Sequence, residues 1–169
     1  SASYKGGALG IFESNATIAH STIVDNNVTV DGGGIYIGSD CNVSVANSIL
    51  WGNHGGSGAN LYKSSSTTFV SDHSIIQGSS LADLPDADPL FVDPAFNDIR
   101  LRLGSPAINA GNPARMGVFT IDYEGVNRNN ETGPDLGAYE GGVDAVNLGG
   151  LVSYSGLIDT GVYRVWLMD

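Results

Sequence analysis

Residues 7–26 read GALGIFESNATIAHSTIVDN, and residues 33–53 read GGIYIGSDCNVSVANSILWGN. The two stretches match when laid over one another. Leu9 and Ile11 fall on Ile35 and Ile37, an offset of 26. One inserted residue makes the offset 27. Ala16 and Ile18 then fall on Val43 and Val45, His20-Ser21-Thr22-Ile23 falls on Asn47-Ser48-Ile49-Leu50, and Asn26 falls on Asn53. A weaker third copy places Leu61 after Ile35, and His73-Ser74-Ile75-Ile76 after Asn47-Ser48-Ile49-Leu50, both at an offset of 26. Self-similarity at a fixed period of this size marks a repeat architecture, in which each unit buries its apolar side only by stacking on its neighbours.

Each copy holds three short pieces in which apolar and polar residues alternate, the pattern of a half-buried strand. The first is led by glycine (Ala8 to Phe12, Gly34 to Ile37), the second runs from Ala16 to Ala19 and from Asn42 to Ala46, and the third from Ser21 to Val24 and from Ser48 to Trp51. Three strands in a repeat of 26 residues are too few for a propeller blade, and the LxxLxLxxN signature of leucine-rich repeats is absent. The expected fold is all-β: the C-terminal portion of a right-handed parallel β-helix, or solenoid, with a short β appendage. Stacked coils put like residues above one another at about 4.8 Å. Ile23, Leu50 and Ile76 are expected to form an internal aliphatic ladder. His20, Asn47 and His73 form a polar one that points outward or into a turn, and Asn26 and Asn53 form an amide ladder. Gly6-Gly7 and Gly32-Gly33-Gly34 open their coils, where positive φ is expected.

After Ser79 the character changes. Residues 79–94, SSLADLPDADPLFVDP, hold three prolines and four aspartates and read as a loop leaving the regular coil. Ile99, Leu101 and Leu103 alternate again, which predicts one more coil with tight corners. The expected organisation is coils and a closing segment over residues 1–140 and a β extension or cap over 141–169, where Leu148, Leu151, Tyr154, Ile158, Tyr163 and Trp166 stand among many apolar residues.

The order DADPLFVDP (86–94), IRLRLGSPAINAG (99–111), IDYEGVNR (121–128) and DLGAYE (135–140) resembles the closing segment of bacterial secreted β-helix proteins of the choice-of-anchor Q type. The coils with GGAL, GGGI and NSILWGN resemble the same group and, more loosely, the repeats of chlamydial polymorphic outer-membrane proteins. The resemblance implies a right-handed β-helix paired with a C-terminal anchoring element, outside the cell. It brings no catalytic residue with it.

Composition narrows the partners. The chain carries 18 acidic residues against 7 Lys and Arg, a net charge of −11. That excludes nucleic acid, whose phosphates are met by Lys and Arg, and disfavours anionic membrane surfaces. No apolar run approaches the roughly 20 residues of a membrane helix. The acidic surface suits divalent cations, neutral sugars or basic partners, and also simply keeps a glycine-rich β protein soluble. Cys41 is the one cysteine and reads as a small buried hydrophobe.

Three constellations are candidate sites. Tyr36, Trp51 and Tyr62 are candidates for stacking on sugar rings, weighed against ordinary packing of large aromatics. Asp86, Asp88, Asp93 and Asp98 fall within 13 residues and are candidate calcium ligands, weighed against aspartates that simply close turns. Paired carboxylates for glycoside hydrolysis do not recur at coil spacing, and Lys and Arg are scattered, so the sequence leaves enzymatic activity undecided and leans against it. The expected function is a non-catalytic extracellular or cell-surface scaffold for adhesion, structure or carbohydrate contact. Its expected partner is a polysaccharide or cell-surface glycan. One alternative is a self-assembling extracellular filament, in which open coil edges and the C-terminal extension join copies of the chain. Another is the C-terminal domain of a polysaccharide lyase or glycoside hydrolase.

Overall fold

The computed structural model describes residues 5–128 and 133–142. Its strands are short, and its only helical elements there are two single 3-10 turns, Pro94–Phe96 and Pro113–Arg115. Three parallel sheets of three strands each carry the repeat. Sheet one joins β1 (Leu9–Ile11), β4 (Ile35–Ile37) and β7 (Leu61–Lys63). Sheet two joins β2 (Asn15–Ala19), β5 (Asn42–Ala46) and β8 (Thr68–Asp72). Sheet three joins β3 (Thr22–Val24), β6 (Ile49–Trp51) and β9 (Ile75–Ile76). The chain visits the sheets in the order one, two, three, and does so three times. This stacking of parallel strands is compatible with a β-helix-like fold.

The register is the one the repeat dictates. Leu9 pairs with Ile35 and Ile35 with Leu61, while Ala16 pairs with Val43 and Val43 with Phe69. Ile23 pairs with Leu50, and Leu50 with Ile76. Alternation sends Ile35, Ile37, Val43, Val45, Leu50 and Ile76 inward, all 0 % exposed, into one core shared by the coils. At about 25 cal/mol per Å² of apolar surface removed from water, this core is the main stabilising term.

Polar ladders run beside the apolar ones. The Asn26 side-chain amide donates to Asn53 Oδ1 at 2.9 Å, and that of Asn53 donates to Asn60 Oδ1 at 2.8 Å. The amide ladder thus takes its third member from the loop of the same coil. Between sheets two and three the corner is turned by His20, Asn47 and His73, with φ of 48°, 47° and 53°. Asn tolerates the left-handed region better than most residues. His20 and Asn47 are buried, so this ladder turns inward under a covering segment, and His73 remains half-buried. Gly6, Gly32 and Gly58 open their coils with φ of 79°, 69° and 55°. A Cβ on Gly32 would lie 2.5 Å from the Ile35 carbonyl oxygen, so a side chain there meets both strain and a clash.

The closing segment departs from the expected extra coil. β10 (Phe91–Asp93) pairs antiparallel with β11 (Asp98–Leu101) as a hairpin around the 3-10 turn. It lies against the outer side of sheet three. There Ile49, Ile75, Phe91, Leu101, Ala107 and Leu136 form a second core, flanked by Val24, Trp51, Leu84 and Ile99. Sheet three is therefore covered on both sides, which is why neighbours in one strand, Ile49 and Leu50, are both 0 % exposed. Residues 107–112 and 134–138 then run along the coils. The Asn112 and Gly137 amides donate to the Asn47 side-chain and main-chain oxygens, and the Ala138 amide to Thr22 Oγ1. The expected β extension over 141–169 lies, apart from Gly141 and Gly142, outside the described residues.

Candidate functional site

The corner between sheet three and the next coil carries Asp25, Gly52 and Gly78, with φ of 54°, 66° and 68°. Beside it the hairpin stands off from the sheet and leaves an open groove of about 430 Å³. Trp51 and Val24, outward residues of β6 and β3, form one wall. Leu90, Phe91, Pro94 and Ala95 form the other, and Asp25, Asp88 and Arg102 stand at the rim. Trp51 is half-buried, while Asp25, Asp88 and Arg102 are exposed. The Arg102 guanidinium is steadied by donating to the Val92 carbonyl at 2.5 Å. A flat indole with carboxylates and a guanidinium at its margin can stack on the apolar face of a sugar ring and meet its hydroxyls.

The sequence-predicted aromatics do not share one surface. Tyr36 and Tyr62 lie in sheet one, parallel to within 3° with centroids 5.0 Å apart. Phe12 folds over Gly10 onto the other side of Tyr36, 5.4 Å away. Tyr36 is 7 % exposed, and its hydroxyl accepts from Lys5 Nζ at 3.0 Å. Only Trp51 of the three opens onto the groove.

The four loop aspartates are spread among separate tasks. Asp86 accepts the Gly78 amide and Asp88 the Leu90 amide. Asp93 precedes the 3-10 turn with no side-chain cap bond. Asp98 forms an ion pair with Arg100 at 2.6 Å, and its carboxyl is lowered chiefly by that guanidinium. The described His and acidic groups that do come within 4.8 Å of one another are Asp72, His73 and Asp83. Donors already surround them. Asn112, Arg115 and His73 hold the Asp72 carboxyl down at about 2, against burial. Asp83 accepts from Ser71 Oγ and from the His73 and Ser74 amides, and these bonds lower it against partial desolvation. This cluster ties the closing segment to the third coil. In the sequence Asp83 is one of four aspartates in residues 79–94, with nothing local to set it apart.

A buried polar knot holds the far end of the closing segment. Arg128 and Glu140 pair at 2.7 Å with side chains 2 % and 6 % exposed. Burial, reinforced by the charge of Asp135, pushes Glu140 up to about 7 against the pull of Arg128. Asp122 accepts the amides of Glu124, Val126 and Glu140. These groups are spent on folding the segment onto itself.

Comparison with known proteins gives no match to a family model, to a curated protein or to a solved structure.

Proposed function

We propose that the chain is the closing end of a right-handed parallel β-helix displayed outside the cell, a non-catalytic scaffold that contacts glycans through the groove at Trp51. The observation that carries this reading is the half-buried indole in a groove rimmed by Asp25, Asp88 and Arg102. The resemblance of residues 86–140 to the closing segments of choice-of-anchor Q proteins supports the extracellular setting. The remaining strongly placed charges support a scaffold over an enzyme: Asp72, Asp83, Asp122 and Glu140 each accept bonds that hold the fold together. Calcium held by Asp86, Asp88, Asp93 and Asp98 belongs to this proposal only as a stabiliser, since Asp86, Asp88 and Asp98 are each engaged with a different partner.

Titrating neutral oligosaccharides (gluco-, xylo-, manno- and chito-series) against intrinsic fluorescence tests the groove. Saturable quenching is expected from at least one series and is lost in Trp51→Ala. No saturable response from any series sinks the glycan reading. Steady release of reducing ends or of unsaturated uronate in the same panel would replace the scaffold with an enzyme.

A further inference from the structure

The two ends of the coil stack are finished differently. At the trailing end, Lys63 stands where Ile37 and Ile11 stand in the other coils, and its ammonium donates to the Ser64 and Thr67 carbonyls. Ala82 packs on the inner core, and Asp83 takes the amides of His73 and Ser74. Its own chain thus closes that edge at the corner before sheet three and over the inner core, while Phe69 of sheet two stays half-buried.

At the leading end no described residue plays these parts. Ile37, Val43 and Val45 are 0 % exposed, yet their first-coil equivalents Ile11, Ala16 and Ile18 are only half-buried. The polar ladders also stop in mid-pattern. Ser74 Oγ takes the Ser48 amide, and Ser48 Oγ takes the Ser21 amide. Ser21 Oγ takes no amide among the described residues. Asn60 Oδ1 takes the main-chain and side-chain N–H groups of Asn53, and Asn53 Oδ1 takes those of Asn26. Asn26 Oδ1 takes none among the described residues. The Gly38, Ile49 and His54 amides reach back to the carbonyls of Ile11, Ser21 and Asn26. Their first-coil equivalents, the amides of Phe12, Thr22 and Asn27, face the leading edge.

We infer that this edge is a docking surface for a further parallel β coil of the same repeat chemistry. Such a coil sets amides over Ser21 Oγ and Asn26 Oδ1, accepts from Phe12, Thr22 and Asn27, and covers Ile11, Ala16 and Ile18. An open strand edge with an apolar side is a pairing template, and main-chain bonds along it supply affinity while the pockets select register. The trailing end of a second copy does not fit, because Asp83 has taken the Ser74 amide that would sit over Ser21 Oγ and Ala82 packs over its inner core. The occupant is therefore a coil whose own trailing side is uncapped.

The test places a second copy of residues 27–52 in front of Ser1, which sets the copied Ile35 one repeat, 26 positions, before Leu9. Amide exchange at Phe12, Thr22 and Asn27 is expected to slow by about tenfold or more. A scrambled extension of the same composition is expected to leave these amides unprotected. Unchanged exchange, whether the extension is unfolded or folds apart from the edge, overturns the inference. So does equal protection by the scrambled sequence. Concentration-dependent association of the unextended chain in light scattering would make a second copy the occupant and overturn it as well.

Discussion

Sheet three has an apolar layer on each side, and the two layers are built by different rules. The inner layer is made by repetition: Ile23, Leu50 and Ile76 stack at coil spacing, with Leu50 held between the other two. The outer layer is made once, from residues scattered between Ile49 and Leu136 with no period. A repeated layer can be extended by adding another copy. A layer made once can only close, and its position is set by unique anchors such as Asn112 on Asn47, Arg115 on Asp72 and Ala138 on Thr22.

The largest effect is expected where the unrepeated half buries charge. Arg128→Met leaves Glu140 without its partner, and losing one member of a buried pair costs about 3–5 kcal/mol. The loss should fall on the closing segment. Hydrogen exchange is expected to speed up over residues 107–128 and 133–138 before the coils respond, and equal loss in both halves would erase the distinction.

A paired truncation sharpens it. Leu50→Ala and Leu136→Ala remove the same atoms from sites 0 % and 1 % exposed, and each is expected to cost about 2–5 kcal/mol. Leu50→Ala should lower one cooperative urea transition for the whole molecule. Leu136→Ala should instead produce an earlier, separate change at Trp51, whose surroundings include the outer layer. Identical single transitions would show that the two layers unfold as one.

The smallest effect tests the seam between the halves. His20 sits under Phe119, with ring centroids 6.1 Å apart, and its Nε2 lies 3.2 Å from the Asn47 amide nitrogen. Burial, together with the charge of Arg128, lowers its pKa to about 4. In the unfolded chain it titrates near 6.5, so between these values the unfolded state binds more protons. The contribution is complete above pH 6.5 and is lost as pH falls toward 4, roughly 3 kcal/mol in all. His20→Asn, which copies the residue at position 47, is expected to flatten that part of the stability profile in denaturant melts from pH 7 to 4. A variant with the wild-type slope would place the titrating group elsewhere.

The coils were legible because repetition gives the same fact several times. The offsets of 26 and 27 placed the strand pairings of the first two coils and those of Leu61 and Ile75-Ile76 in the third. The closing segment was less legible for a physical reason. Alternation at Ile99, Leu101 and Leu103 reports a pleat but not a direction, so a hairpin strand read as another coil. Nothing local tells Phe91, Leu101, Ala107 and Leu136 that their partner is the back of sheet three. The groove shared this limit, since its second wall is the hairpin. Asp83 was legible only as one more loop aspartate, because the donors it satisfies belong to strands ten residues earlier.

The change of offset from 26 to 27 has a consequence of its own. It arises at the corner between sheets one and two, where three residues separate β1 from β2 and four separate β4 from β5. The strands on either side keep perfect register. That corner is thus a place where length is free while geometry is held, a natural splice site. A foreign loop inserted between Ser39 and Asp40 is expected to be displayed there at the cost of only the exposed Ser39–Ser64 and Asp40–Ser66 bonds, with the strand register kept.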